Sequence, residues 1–186
     1  MLSIQDVRSM TASMTLEAFE RQLGPFVLVH KPPSPERAAL SMALGADPTQ
    51  PTNSTGDALN ALLSFDDLVL ATLPPLKRID ALTVGRLADN ELVIDDPSVS
   101  KNHARLRWAD GTATLEAFET QNGTRINDVE LRGSAPLADK DTIAFGAVVF
   151  TYLTTRTFFV RVGQVRETTG HRNQRLQVPP LPSDPT

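Results

Sequence analysis

Apolar positions in this 186-residue chain follow two spacings, and the change comes near residue 60. Before it, TLEAFERQLG places Leu16, Phe19 and Leu23 at intervals of three and four, which puts them on one face of a helix. Thr15 is placed to cap that helix, Glu17 sits in its first turn, and Gly24 with Pro25 behind it stops it. FVLV at 26–29 is a continuous apolar run too short for another helix, and it predicts a strand. Prolines at 32, 33, 35, 48 and 51 then mark 32–63 as a linker, in which PERAALSMALG could form a helical turn or more.

After Asn60 short apolar runs recur between turn signals: LVLATL, LTVG, ELVI, HARLRW, TATLEAF, TRIN and DTIAFGAVVFTYL. In HARLRW the alternation is strict, with Ala104, Leu106 and Trp108 on one side and Arg105 and Arg107 on the other. Asp110-Gly111 and Asn122-Gly123 are dipeptides of the hairpin type, and ADK before DTIAF marks another turn. Strands this short and this frequent predict an all-β sandwich. LTTRTFFVRVGQV, after Tyr152, fits either a further strand or a closing helix, and the proline-rich end QVPPLPSDPT is expected to be disordered. The chain therefore divides into an N-terminal helix and short strand (1–31), the linker (32–63), the sandwich (64–155) and a basic C-terminal extension (156–186).

Composition narrows the function classes. Hydrophobic residues make up 40% and charged residues 22%, which suits a globular domain, while aromatics are only 5% and leave the core to Leu, Val, Ile and Ala. With no cysteine, disulfides, thiolate chemistry and Cys-based zinc sites are excluded. The start MLSIQDVRSM has no signal-like apolar run, and no stretch reaches the length of a membrane span, so a cytoplasmic protein without a membrane partner is expected. The net charge is −4, yet residues 156–186 carry five Lys/Arg against two Asp/Glu. That short basic tail reads as a solvated end, and no nucleic-acid partner is expected.

The densest chemistry lies in PSVSKNHARLRW at 97–108. Ser100 and His103 raise the question of a hydrolase, but no G-x-S-x-G elbow surrounds the serine, and the S-x-x-K match at Ser98–Lys101 lacks its companion motifs. His30, His103 and His171 are scattered and no H-E-x-x-H occurs. Neither catalysis nor a metal or other cofactor is expected.

Three pieces stand in order on loops between predicted strands: Gly85-Arg86, then Ser100-Lys101-Asn102-His103, then Asn122-Gly123-Thr124 with Asn127. Together, over about residues 64–155, they resemble the forkhead-associated (FHA) domain. The resemblance implies an FHA-type β-sandwich, here with an N-terminal helical extension and a flexible C-terminal tail, that binds phosphothreonine peptides through loops at one end and performs no catalysis. It places Arg86 and Ser100 on the phosphate, Lys101 facing the phosphopeptide, and Asn122 on the peptide backbone beside the phosphothreonine. Gly85, His103, Gly123 and Asn127 become structural supports of the site. Where the family often has Ser-Thr before Asn-Gly, this chain has Thr120-Gln121, so the Gln121 amide replaces a hydroxyl at the phosphate. The function implied is an adaptor in Ser/Thr kinase signalling, its partner a phosphothreonine-containing protein such as a kinase or its substrate. The alternative keeps the fold as a phosphate-independent assembly module. Thr168 and Thr169, in VRETTG, are further candidates for phosphorylation and self-binding.

Overall fold

A computed structural model describes residues 2–30, 69–72 and 81–163. The linker reading of 32–63, the disordered end, and Thr168 and Thr169 lie outside the described residues. Strand β1 (Leu2–Ser3) precedes helices α1 (Ile4–Ser13) and α2 (Leu16–Leu23), and β2 (Phe26–His30) follows. Then come β3 (Val69–Thr72), β4 (Ala81–Gly85), β5 (Leu92–Val93), β6 (Ala104–Ala109), β7 (Thr112–Ala117) and β8 (Thr124–Ile126). β9 (Val129–Glu130), β10 (Ser134–Pro136), β11 (Thr142–Phe145) and β12 (Val148–Thr154) complete the strands, and a helix, α3, occupies 155–163.

The strands form the expected all-β sandwich. One sheet runs β1-β3-β2-β12-β11-β8-β9 and the other β10-β7-β6-β4-β5. Alternation sets what lies between them. Leu82 and Val84 of β4, Ala104 and Leu106 of β6, and Ala113 and Leu115 of β7 meet Phe26, Leu28, Ile143, Phe145, Phe150 and Tyr152 from the facing sheet. Arg105 and Arg107 point outward and share Glu116 across the β6–β7 pair, at 3.6 and 3.7 Å. The β6–β7 hairpin turns at Asp110-Gly111, whose φ values of 50° and 76° are those a two-residue turn of this hand demands.

The run FVLV is apolar throughout because both faces of β2 are covered. Phe26 and Leu28 enter the inter-sheet core, while Val27 and Val29 face a second core made with Val7, Phe19, Leu23, Leu153, Phe158 and Val162. The helices α1, α2 and α3 thus form a third layer over the seven-stranded sheet. Thr15 caps α2 through its hydroxyl, which accepts from the Ala18 N–H, and the Gly24 N–H closes the last turn on the Glu20 carbonyl at 2.9 Å. The Thr155 hydroxyl donates to the Gly24 carbonyl at 2.6 Å and joins α3 to the end of α2.

Two readings change. β2 lies between β3 and β12 as an internal strand of the sandwich and β1 pairs on the outer side of β3, so the window 64–155 omits two of its strands. Local pattern could not show the place of β2, because the pairing is with residues 150–154, far along the chain. Asn122-Gly123 is not a hairpin turn: it joins β7 of one sheet to β8 of the other. The hairpin here is instead β8–β9, turning at Asn127 and Asp128 with φ of 49° and 66°.

Candidate functional site

Antiparallel pairing of β4 with β6 brings the end of one strand beside the start of the other, with Val84 opposite Ala104. Arg86 therefore follows β4 at the same pole where Ser100 and Lys101 precede β6. The loops are knitted by backbone bonds: the Arg86 N–H donates to the Ser100 carbonyl at 3.0 Å, and the Leu87 N–H to the Lys101 carbonyl at 3.3 Å. Gly85 makes this approach possible. A Cβ there would stand 2.2 Å from the Lys101 carbonyl oxygen and 2.7 Å from Asn90 Nδ2, closer than van der Waals contact allows. Asn90, almost fully buried, donates its side-chain amide to the Leu87 and Lys101 carbonyls at 3.0 and 2.9 Å.

A third loop, 118–123, is fastened by His103. The Ser100 N–H can only donate, so His103 Nδ1 accepts it at 3.0 Å; the ring proton then sits on Nε2 and is donated to the Gly123 carbonyl at 3.1 Å. His103 has no exposed surface, and burial holds its pKa below the usual histidine value, only partly opposed by the bond to Gly123. A neutral imidazole with both nitrogens committed joins the loops. It meets the backbone of Ser100, not its hydroxyl, so the pair is not arranged as nucleophile and base. The Gly123 carbonyl also accepts from the Gly146 N–H at 3.2 Å, which brings in the β11–β12 turn, and the Gly123 N–H donates to the Thr120 hydroxyl at 3.1 Å.

Around this frame stand the side chains with free chemistry. Arg86 is exposed; its Nε donates to the Val99 carbonyl at 3.3 Å, which aims the guanidinium, and it forms no ion pair with a described residue. Ser100 is half-buried beside it, and Lys101, Gln121 and Asn122 are exposed on the two neighbouring loops. Arg86, Ser100, Lys101, Gln121 and Asn122 thus share one pole of the sandwich. The arrangement offers a forked cation, a hydroxyl, an ammonium and two amides, a set suited to an anion attached to a polar chain. No group of three or more His, Asp or Glu side chains placed to hold a metal ion occurs among the described residues.

Asn127 sits elsewhere, at the far end of β8 from Asn122. Its carbonyl oxygen accepts from the Thr142 N–H at 2.9 Å and its amide donates to Asp141 at 2.8 Å, so it pins the β8–β9 turn to β11. Residues beyond the sequence motif also build the frame: Asn90, Asp96, Ser98 and Gly146. Asp96-Pro97-Ser98 carried a usable signal, since an Asp two residues before a Ser invites an Asx turn, and Asp96 Oδ1 accepts from the Ser98 N–H at 2.8 Å. No helix among the described residues is long and apolar enough to cross a membrane.

Known proteins resemble parts of this chain. Residues 82–146 match the family model of the FHA domain. The transcriptional regulatory protein EmbR of Mycobacterium tuberculosis and of Mycobacterium bovis is 24% identical over 132 residues, 71% of this chain. The chain spans about a third, 34%, of the length of these relatives. Among solved structures, M. tuberculosis EmbR in complex with a low-affinity phosphopeptide is 18% identical with a TM-score of 0.41, covering 81% of this chain and 42% of that one. The FHA-2 domain of an M. tuberculosis ABC transporter is 30% identical with a TM-score of 0.37, covering 44% of this chain and 70% of its own. The matched residues, 82–146, carry the loops of the site, and over them this chain is similar to the FHA domain.

Proposed function

We propose that the chain is a phosphothreonine-peptide-binding adaptor of the cytoplasm, docking onto a protein phosphorylated by a Ser/Thr kinase, with the kinase or its substrate as partner. FHA domains are phosphopeptide-binding modules, not enzymes. The observation that carries the reading here is the exposed Arg86 guanidinium, aimed by the Val99 carbonyl and standing beside Ser100 with no described acidic partner. A phosphothreonine brings roughly −1.5 to −2 charge and three acceptor oxygens. The guanidinium can take two of these oxygens together, and the Ser100 hydroxyl and Lys101 ammonium add donors. Gln121 supplies an amide donor at the same edge, and Asn122 the contact to the peptide backbone. A chain of net charge −4 can hold an anion this way because positioned donors dominate at short range.

The test is capture from a degenerate phosphothreonine-peptide library by the full chain and by Arg86→Ala. Phosphate-dependent capture is expected for the parent protein, with a loss of roughly 2–5 kcal/mol in the variant, as when one partner of a desolvated charge pair is removed. Ser100→Ala is expected to lose about 0.5–3 kcal/mol. Equal capture of the unphosphorylated library overturns the reading and leaves a phosphate-independent assembly role.

A further inference from the structure

We infer that Ser98 is a positioning residue for Asn122: it holds the Asn122 amide ready for the peptide backbone, and the inference rests on the phosphopeptide reading above. Every polar group of Ser98 is committed. Its N–H and its hydroxyl both donate to Asp96 Oδ1, at 2.8 and 2.6 Å. The hydroxyl oxygen accepts from the Ala147 N–H at 2.9 Å, and the carbonyl accepts from Asn122 Nδ2 at 2.8 Å. Asp96 is fixed in turn, because its N–H donates to the Ile94 carbonyl at 2.9 Å and its carbonyl accepts from Val99 at 3.0 Å. Both bonds from Ser98 hold the Asp96 carboxyl below its usual pKa, the hydroxyl bond most strongly.

The β11–β12 turn presses on Ser98 from the other side. A Cβ at Gly146 would lie 2.4 Å from the Ser98 carbonyl oxygen and 2.7 Å from its Oγ, and Gly146 has φ of 61°, which favours glycine besides. A rigid strand pair thus sets the direction of one carbonyl. That carbonyl holds an amide side chain that is otherwise exposed and has no second hydrogen-bond partner among the described residues.

An exposed asparagine without such a tether samples several rotamers and must be ordered when peptide binds. Asn122 held by Ser98 has met that entropy in the free protein and keeps its second amide hydrogen and its carbonyl oxygen for a ligand. Asn102, exposed on the neighbouring loop and without a side-chain hydrogen bond to a described residue, is the internal contrast.

The experiment uses the full chain, with Ser98→Ala, the hydroxyl-preserving Ser98→Thr, Asn122→Ala and the Ser98→Ala/Asn122→Ala pair. Side-chain amide 15N relaxation is recorded without ligand, and apparent affinity is measured for an immobilised degenerate phosphothreonine-peptide pool and for free phosphothreonine. In the parent protein and Ser98→Thr the Asn122 amide is expected to be rigid and that of Asn102 mobile; in Ser98→Ala, Asn122 becomes as mobile as Asn102. Affinity for the peptide pool falls about two- to tenfold in Ser98→Ala, does not fall further when Asn122→Ala already removes the contact, and stays unchanged for free phosphothreonine. If Asn122 stays rigid in Ser98→Ala, or the two substitutions weaken peptide binding additively, the inference is overturned. If the parent protein captures no phosphopeptide while Asn122 still loosens in Ser98→Ala, the functional reading fails and the positioning role stands.

Discussion

The imidazole of His103 and the carbonyl of Gly123 meet at 3.1 Å across twenty residues of sequence, and the same ring takes the Ser100 N–H at 3.0 Å. One buried side chain therefore sets the spacing between the serine loop and the asparagine loop. His103→Ala leaves the Ser100 N–H without its acceptor, at about 1–3 kcal/mol, and also removes the ring edge packed on Phe145. A lower urea midpoint and weaker phosphopeptide capture are expected together. An unchanged midpoint overturns this account of the ring.

The same histidine gives the fold a pH dependence. Burial lowers its pKa from the ordinary 6.5, so between that value and the lower folded one the unfolded chain binds more protons than the native state. Stability is expected to be full above pH 6.5 and to decline as pH falls through 6.5 towards the folded value. Urea titrations from pH 8 to 5 measure it, and a flat profile in the parent protein counts against it. Peptide binding is expected to weaken below about pH 6 for a separate reason, the second protonation of the phosphate, and that loss persists in conditions where the fold is intact.

Gly85→Ala forces a methyl against the Lys101 carbonyl, where the backbone on both sides is bonded. A cost of about 1–3 kcal/mol is expected, with a loss of peptide binding because Ser100 and Lys101 shift together. Gly163→Ala is the control: nothing lies within 4 Å of its added Cβ, and in α3 it is expected to be neutral or to stabilise by up to about 1 kcal/mol. Thermal melts of the two variants should move in opposite directions or differ by several degrees, and equal melts exclude the close-approach argument.

Phe19 has no exposed surface, and its ring centroid lies 6.4 Å from that of Phe158 and 5.1 Å from that of Phe159. Phe19→Ala is expected to cost about 3–5 kcal/mol of stability through the second core, with phosphopeptide affinity unchanged under conditions where the protein stays folded. A large affinity loss there would show that the helical layer and the binding pole are coupled.

Much of the sandwich was legible because alternation is a local property: HARLRW and TATLEAF display their buried faces in a window of six or seven residues. The α2 helix was legible for the same reason, through Thr15, Gly24 and the spacing of Phe19 and Leu23. The place of β2 was not, since the partner of Phe26 is Thr154 and a short apolar run states burial without stating what buries it. The motif residues Arg86, Ser100, Lys101 and Asn122 could be named in order, and they do share one pole. The parts that aim them were largely hidden. The Asp96–Ser98 turn could be read from the sequence, but not that the Ser98 carbonyl meets Asn122, and Gly146 acts through the absence of a side chain.

β2 and β12 run antiparallel, with Phe26 opposite Thr154 at one end and His30 opposite Phe150 at the other. Tension applied at Gly24 and Thr155 therefore pulls on the same end of the pair and opens it as a zipper, one bond after another, instead of shearing all of them at once. The first to yield is the contact of the Thr155 hydroxyl with the Gly24 carbonyl, followed by the rungs nearest it. The last is His30 with Phe150, on the side of the turn that presses on Ser98. Under load the domain would shed its helical layer at low force and keep its gripping pole closed until the end.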